Sequence, residues 1–308
     1  MSKQRAEPIS QTIDVRGIRL HYWDWPSEPS PPRVTVLLTH ATGFHARLWD
    51  AVIRLLPASW RCVALDLRGH GRSEAPPDEI DYLWSEHVAD TAAVADALDL
   101  KAALGVGHSM GGFVIAGAAA RTQKDYRFQA LVLVDASIMD GQDPAKRPRI
   151  RPGADTANES RPDIAEGARR RRPTWESPTV MFESLRKRVP FDTWDKGVLR
   201  DYCEYGLLPH EGEGMRLACP PFAEAATFSH SLDTNPWPAL ARLGGPVSVM
   251  RGLMTHGLPS TTSPRTASAI PKGEDIPIAA CNHFIPMERP DLVADEIKRL
   301  SRHLGLPG

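Results

Sequence analysis

The sequence is poor in cysteine and has no long apolar run. Its 308 residues include four cysteines, at positions 62, 203, 219 and 281, and none of them is spaced as in a CxxC motif. Four thiols are too few for a disulfide scaffold, and their spacing does not indicate a zinc or redox site. No apolar run approaches the ~20 residues of a membrane-spanning helix, and residues 1–10 lack the apolar segment of a secretory signal. We therefore expect reduced cysteines, a cytoplasmic location and no association with a membrane.

An excess of charge of either sign is also missing. The 37 Lys and Arg residues oppose 38 Asp and Glu residues, so the net charge of −1 gives no overall field to attract nucleic acid. Hydrophobic residues make up 42% and charged residues 24% of the chain, which is typical of a globular domain. We expect a small molecule rather than nucleic acid as partner, and either a monomer or a homodimer.

The chain alternates between strand-like and helix-like segments. Continuous apolar runs typical of buried parallel strands occur at residues 34–39, 61–66, 102–107 and 130–135. Helical spacing of apolar residues lies between them, and the first strands are expected as a pair within residues 12–25, turning at Arg16-Gly17. This order predicts an α/β fold with a mostly parallel central sheet flanked by helices and joined by right-handed crossovers.

The alternation stops after Ile138 and resumes with short strands at 246–251 and 276–280 and a final helix near 290–304. The pattern predicts a core α/β domain in two parts, residues 1–137 and 238–308, with a helical lid (cap) at 138–237 inserted after the sixth strand. Lid helices are expected near residues 163–171, 178–188, 194–206 and 221–232. The arginine run at residues 169–172 is interpreted as solvated surface, with an anion-binding patch as the alternative.

One short motif carries chemistry. Residues 107–111 read Gly-His-Ser-Met-Gly and match G-x-S-x-G. They lie directly between a strand-like run and a helix-like run, where a sharp turn forces the serine into a strained conformation and presents its hydroxyl at the carboxyl edge of the sheet. The sequence thus predicts Ser109 as a nucleophile.

Together with three other segments, this motif resembles the α/β-hydrolase superfamily. Those segments are residues 40–44 (HATGF), 66–73 (DLRGHGRS) and 282–290 (NHFIPMERP), each expected at the end of a strand. The resemblance covers nearly the full chain and implies the α/β-hydrolase fold. The glycines of residues 66–73 do not form a phosphate-binding pattern, so Asp66 and Arg68 are interpreted as bracing that loop.

The resemblance implies a catalytic triad around Ser109. His283 follows the last expected strand, where the family has its histidine base. The family's usual position for the acid is the loop at residues 251–258, which contains no Asp or Glu. The other position used in the superfamily, after the strand that follows the nucleophile helix, holds Asp135. Asp135 is therefore the predicted acid, with Asp140 or no acid as the alternatives.

The resemblance also implies an oxyanion hole made by the amides of Thr42 and Met110. The family usually has His-Gly where this chain has His40-Ala41, a substitution tolerated unless that position needs a positive φ. His40 and His108 are interpreted as supports for the oxyanion loop and the nucleophile turn. The expected substrate pocket is lined by aromatic side chains, which would otherwise form only the lid's own core: Phe44, Trp175, Phe182, Trp194 and Phe228.

These features predict a serine hydrolase that cleaves a carboxylic ester or lactone through an acyl-serine intermediate. Neither a metal nor another cofactor is expected, since no metal-binding motif is present. Amide hydrolysis, C–C bond hydrolysis or perhydrolysis would use the same machinery. A non-catalytic receptor on the same fold is the alternative from a different class, favoured only by the missing acid in residues 251–258.

Overall fold

The structure is a computed structural model that describes residues 5–28, 30–145, 164–212 and 214–307. The strands are β1 (Ile9–Val15), β2 (Ile18–Trp25), β3 (Val34–Thr39), β4 (Trp60–Asp66), β5 (Ala103–His108), β6 (Phe128–Val134), β7 (Thr174–Trp175), β8 (Leu207–Pro209), β9 (Met215–Leu217), β10 (Val247–Gly252) and β11 (Gly273–Ile278). The α-helices are α1 (Asp50–Ile53), α2 (Trp84–Ala97), α3 (Met110–Arg121), α4 (Ile164–Arg169), α5 (Pro178–Leu185), α6 (Lys196–Tyr205), α7 (Pro221–Ser229), α8 (Trp237–Leu240), α9 (Ile285–Glu288) and α10 (Pro290–His303). A helix able to span a membrane is not found among the described residues.

Within these residues, eight strands form one sheet in the order β1-β2-β4-β3-β5-β6-β10-β11. The pairs β1–β2 and β2–β4 are antiparallel, and every other pair is parallel. The turn between β1 and β2 has positive φ at both Arg16 (53°) and Gly17 (80°), as tight hairpins require. The predicted mostly parallel sheet flanked by helices is confirmed.

The sheet is buried on both faces. One face packs against α2, α3 and α8 through an apolar cluster that includes Leu37, Leu133 and Phe113. The other face packs against α1 and α10 through a cluster that includes Val36, Val132 and Ile297. Because adjacent residues of a central strand feed opposite clusters, both sets of side chains are apolar, which explains the unbroken apolar runs in the sequence.

The segment between β6 and β10 is not purely helical. It carries α4 to α8, near the four expected helices, but also a small antiparallel sheet in the order β7-β9-β8. The expectation of an all-helical insertion is wrong in this respect, because strands of two or three residues are too short to show alternating hydrophobicity. Residues 146–163 of the predicted lid, including the start of the helix expected at 163–171, lie outside the described residues.

Candidate active site

Ser109 lies on a tight turn between β5 and α3. It is the single residue between the end of the strand and the start of the helix. Its φ of 56° and ψ of −122° lie in a region that non-glycine residues rarely adopt. A Cβ atom on Gly111 would collide with the carbonyl oxygen of Thr39, and one on Gly107 would collide with the carbonyl oxygen of Gly111. The two glycines of the motif therefore let neighbouring backbone pack tightly against the strained turn.

His283 places its imidazole between Ser109 and Asp135. Its Nε2 lies 3.0 Å from Ser109 Oγ, and its Nδ1 lies 2.7 Å from Asp135 Oδ1. Two hydrogen bonds fix its backbone: the His283 amide donates to the carbonyl of Leu258 at 2.8 Å, and its carbonyl accepts from His108 Nε2 at 2.9 Å. The three side chains nominated from the sequence thus form one hydrogen-bonded row, in which Nε2 can accept the serine proton.

Asp135 is held by one amide of the segment 251–258, which lacks an acid, and by one amide just beyond it. It directly follows β6 and has a φ of 41°. Its Oδ2 accepts from the Gly252 amide at 2.8 Å, and its Oδ1 accepts from the Thr261 amide at 3.0 Å. Burial by itself raises the pKa of this carboxyl group, but hydrogen bonds from His283 and Gly252 bring the pKa of Asp135 below its ordinary value. Asp135 is therefore ionised at neutral pH.

Asp140, the alternative acid, has other partners. Its Oδ1 accepts from Ser263 Oγ at 2.7 Å and from the Arg265 guanidinium at 2.7 Å. The described geometry therefore joins Asp135, and not Asp140, to the histidine.

The two residues expected to provide the oxyanion amides are in side-chain contact. The Phe44 amide donates to the Ala41 carbonyl at 3.2 Å and closes a turn in which Gly43 has a φ of 79°. Thr42 is the second residue of this turn, so its amide does not take part in the turn's own bond. Its Oγ1 lies 3.3 Å from Met110 Sδ, and Met110 begins α3, so the Met110 amide has no partner within the helix. The left-handed residue is Gly43, which explains why alanine is accepted at position 41.

Two buried histidines support these loops. His40 Nδ1 donates to the Ala41 carbonyl at 2.8 Å, and His40 Nε2 accepts from the Leu67 amide at 3.0 Å. Burial lowers the pKa of His40 to about 3 and that of His108 to about 3. Both rings are therefore neutral at ordinary pH and brace the backbone, as interpreted from the sequence.

Aromatic rings surround the triad. The centroid of the Phe44 ring lies 5.5 Å from that of Trp194, 5.6 Å from that of Tyr202 and 6.1 Å from that of Phe284. The Phe284 ring in turn lies 5.2 Å from the His283 ring. Of the five predicted pocket residues, Phe44 and Trp194 thus contact rings beside the triad.

The other predicted pocket residues lie elsewhere in the insertion. Trp175 on β7 and Phe182 on α5 belong to the same buried apolar cluster, with Arg172 over the Trp175 ring and Arg200 over the Phe182 ring. Phe228, on α7, is not part of that cluster. The structure therefore does not bring Phe228 together with the rings beside the triad.

The triad is largely covered in this conformation. Ser109 is 8% exposed and His283 is 3% exposed. A cavity of about 800 Å³ lies elsewhere, lined by residues that include Arg47, Asp50 and Tyr205 and no member of the triad. The catalytic serine and histidine thus lie beneath the surface and not in this cavity.

Comparison with known sequences identifies the family. Residues 36–296 match the profile described as the alpha/beta hydrolase family, a span that includes Ser109, Asp135 and His283. The chain belongs to the alpha/beta hydrolase family. The resemblance seen in its motifs is thereby confirmed.

Two individual relatives match this chain over shorter stretches. A non-heme chloroperoxidase of Streptomyces lividans is 36% identical over 121 residues, 39% of this chain and 42% of that protein. The bifunctional esterase/perhydrolase DCH of Acinetobacter calcoaceticus is 34% identical over 119 residues, 38% of this chain and 41% of that protein. The chain thus spans about two fifths of the length of these two curated relatives.

A solved structure matches nearly the whole chain. The crystal structure of E-2-(acetamidomethylene)succinate hydrolase has a TM-score of 0.74 and 21% sequence identity, and the match covers 96% of this chain and 99% of that one. At that identity, the likeness shows the fold.

Two hydroxyl groups beside the triad, those of Ser137 and Thr261, were not predicted from the sequence. Ser137 Oγ lies 3.1 Å from Ser109 Oγ, and Thr261 Oγ1 lies 3.1 Å from Ser137 Oγ and 3.4 Å from His283 Nδ1. The position of Ser137, two residues after Asp135, was the available signal. Thr261 lies three residues beyond the segment 251–258, where the family usually has its acid.

The arginine run at residues 169–172 is not uniformly solvated. Arg169 pairs with Glu79 at the surface, but the Arg171 guanidinium is half-buried, pairs with Glu224 and donates to Tyr202 Oη at 2.7 Å. The interpretation of this run as solvated surface is therefore wrong for Arg171. A buried partner on a distant helix cannot be read from the run itself.

Asp66 and Arg68 brace their loop as interpreted. Asp66 accepts from His21 Nδ1 at 2.8 Å and from the Ala46 amide at 2.7 Å. Arg68 forms an ion pair with Asp90 at 2.7 Å. These bonds tie the loop after β4 to β2 and α2.

Proposed function

We propose that this hydrolase cleaves a carboxylic ester or lactone through an acyl-serine intermediate. The observation that carries the proposal is the row of hydrogen bonds from Ser109 through His283 to Asp135. An unactivated serine hydroxyl is a weak nucleophile, and an adjacent neutral imidazole whose tautomer is fixed by a carboxylate supplies the base that it needs.

The geometry supports the following sequence of steps for the proposed reaction. Ser109 Oγ attacks the carbonyl carbon of the substrate while its proton passes to His283 Nε2, and Asp135 stabilises the imidazolium that forms. The carbonyl oxygen becomes an anion, which the amides of Thr42 and Met110 stabilise by hydrogen bonds. His283 then protonates the alkoxide that leaves as the C–O bond breaks, so an acyl-serine and an alcohol are formed.

The second half of the reaction regenerates the enzyme. His283 takes a proton from water, and the resulting hydroxide attacks the acyl carbon. The amides of Thr42 and Met110 again stabilise the oxyanion that forms. Collapse of this intermediate expels Ser109 Oγ, which recovers its proton from His283. For a lactone, the alcohol and the acid remain one molecule, so the product is a hydroxy acid.

We also propose that the lid at residues 138–237 selects the substrate. Phe44 of the core contacts Trp194 and Tyr202 of the insertion beside the triad. Aromatic walls of this kind favour an apolar acyl group and exclude water from the oxyanion. Replacing Trp194 by Ala should therefore change the ratio of kcat/KM between short and long acyl esters.

Perhydrolysis is a second candidate, since one matched relative is named a bifunctional esterase/perhydrolase. In that reaction hydrogen peroxide replaces water as the attacking group on the acyl-serine and yields a peracid. The test is acetate- and peroxide-dependent bromination of monochlorodimedone, which should be lost in Ser109→Ala if it proceeds through the same serine.

The primary test compares p-nitrophenyl esters, lactones and amides with the parent, Ser109→Ala and the matched control Ser263→Ala. Ser263 is also buried, at 7% exposure, but bonds to Asp140 and not to the triad. Ester or lactone turnover should disappear in Ser109→Ala and persist in Ser263→Ala. Turnover that survives in Ser109→Ala would assign the activity to another group.

A further inference from the structure

Ser137 is a second hydroxyl group at the nucleophile. Its Oγ lies 3.1 Å from Ser109 Oγ, and its amide donates to the Ser109 carbonyl at 2.9 Å. The residue is 6% exposed and follows Asp135 by two positions, so the same strand end that carries the acid also carries this hydroxyl. Ser109 Oγ therefore has two hydrogen-bond partners, His283 and Ser137.

The direction of each bond follows from the number of hydrogens available, on the proposed function of His283 as the base. His283 Nδ1 donates to Asp135, so Nε2 must accept, and the only hydrogen on Ser109 Oγ is used in that bond. At the contact between the two serines, Ser137 must then be the donor. Its single hydrogen is used there, so Thr261 Oγ1, 3.1 Å away, must donate to Ser137 Oγ.

We propose that Ser137 is a catalytic residue that stabilises negative charge on Ser109 Oγ, with Thr261 as the positioning residue that orients the Ser137 hydroxyl. This inference rests on the proposed function of the triad. It adds a donor to the nucleophile oxygen itself, whereas the oxyanion amides act on the substrate oxygen.

The donor acts in both halves of the reaction. When the Ser109 proton passes to His283, the O–H bond breaks before the new O–C bond is complete, so Ser109 Oγ carries partial negative charge in the transition state. The same charge returns when the O–C bond breaks in deacylation. A hydrogen bond to an oxygen that gains charge is stronger than one to a neutral hydroxyl, so Ser137 stabilises these transition states more than the resting enzyme. The hydrogen of Ser137 is not transferred in either step.

Thr261 ties this donor to the acid. Its amide donates to Asp135 at 3.0 Å, and its hydroxyl donates to Ser137. The substitution Thr261→Val removes the hydroxyl and keeps both the amide and the β-branched shape. It therefore separates the orientation of Ser137 from the support of Asp135.

The test measures the second-order rate of phosphonylation of Ser109 by a fluorophosphonate in the parent, Ser137→Ala, Thr261→Val and Ser263→Ala. Phosphonylation depends on the Ser109 oxygen and not on the leaving group of an ester. We expect it to slow about tenfold in Ser137→Ala, near the lower end for loss of one hydrogen bond to charge, and about threefold in Thr261→Val, in the range for loss of one neutral hydrogen bond. The control Ser263→Ala should label at the parent rate.

Two further readouts separate catalysis from folding. The pH midpoint of phosphonylation should be the same in Ser137→Ala as in the parent, because Ser137 does not touch the imidazole. Thermal melting identifies a variant that has not folded. If Ser137→Ala is such a variant, slower labelling of Thr261→Val with the parental pH midpoint decides, since the Thr261 hydroxyl also lies 3.4 Å from His283 Nδ1 and a shifted midpoint would assign the slowing to the imidazole. Failure of the parent to label at Ser109 would refute the proposed function. Labelling of folded Ser137→Ala at the parent rate, or equal slowing in Ser263→Ala, would overturn this inference and leave the triad intact.

Discussion

Replacement of Asp135 by Asn tests the triad in the most detail. The carboxylate accepts three hydrogen bonds: Oδ1 accepts from His283 Nδ1 at 2.7 Å and from the Thr261 amide at 3.0 Å, and Oδ2 accepts from the Gly252 amide at 2.8 Å. An asparagine has one acceptor oxygen and one NH₂ group. In either orientation, its NH₂ group therefore faces at least one of these donors.

Each orientation has a defined cost. If the amide oxygen takes the Oδ2 position, His283 must change tautomer to accept from the NH₂ group, and its Nε2 then carries a hydrogen and cannot accept the Ser109 proton. If it takes the Oδ1 position, the tautomer survives, but the buried Gly252 amide is unsatisfied and the imidazolium has no negative partner. An unsatisfied buried donor costs about 1–3 kcal/mol of stability, and loss of the orienting carboxylate reduces the rate by a factor of order 10⁴ in a tested triad.

The assay is kcat for a p-nitrophenyl ester together with the free energy of unfolding in guanidinium chloride. We expect Asp135→Asn to lose kcat by about 10³ to 10⁴, with a stability decrease of about 1–3 kcal/mol. The matched control is Asp140→Asn, which removes a carboxylate bonded to Ser263 and Arg265 and should retain kcat within about twofold. Asp135→Asn with more than a tenth of parental kcat would refute the assignment of the acid.

Three other changes have defined outcomes. Lowering the pH from 6.5 to 5.5 should remove about 4 kcal/mol of unfolding free energy, because five buried neutral histidines each lose about 1 kcal/mol as the unfolded chain takes up protons, while buried Asp50, whose pKa is raised to about 6, offsets less than about 1 kcal/mol of that loss; constant stability over this range, measured in guanidinium chloride, would contradict it. Burial lowers the pKa values of His40, His45, His70 and His108 to about 3 or 4 and that of His87 well below its ordinary value. Gly111→Ala, whose Cβ would collide with the Thr39 carbonyl, should lose about 1–3 kcal/mol of stability and most of its esterase activity, and parental values of both would argue against tight packing at the turn. Gly43→Ala would place a side chain on a residue with a φ of 79° and its Cβ 2.5 Å from Glu224 Oε1, so the variant should lose about 1–2 kcal/mol of unfolding free energy. It should lower kcat more than it changes KM, and an unchanged kcat would show that this turn does not contribute to the oxyanion hole.

The parallel sheet and the nucleophile turn could be predicted because their signals are local. A strand buried on both faces must be apolar along its whole length, as in Val34–Thr39, and a turn this tight needs small residues at fixed positions, as at Gly107 and Gly111. His283 and Asp135 could be predicted because the α/β-hydrolase family has its triad residues at particular strand ends and in a fixed order along the chain. Their mutual distances then came from the structure.

The remaining features depend on contacts between distant segments. Arg171 is half-buried because Glu224 and Tyr202 lie against it, and no pattern within the arginine run encodes those partners. Phe228 and Trp194 are both aromatic residues of the insertion, and the sequence offers no signal that separates their positions. In the structure Trp194 contacts Phe44, and Phe228 is not part of the same apolar cluster. A single chain specifies which residues are aromatic but not which face of a short helix meets the core.

The hydroxyl groups of Ser137 and Thr261 were missed for a different reason. Serine and threonine are common in loops, so neither residue type is informative without a position. Only the distances of 3.1 Å from Ser109 to Ser137 and from Ser137 to Thr261 distinguish them from other loop residues.

The measurement that tests the central claim most directly is the site of covalent attachment of a fluorophosphonate, read by intact mass and peptide mapping. The account predicts one phosphonyl group per chain on the peptide that contains Ser109, with labelling abolished in Ser109→Ala and strongly slowed in His283→Ala. Attachment to a different side chain in an enzyme that still hydrolyses esters would contradict it.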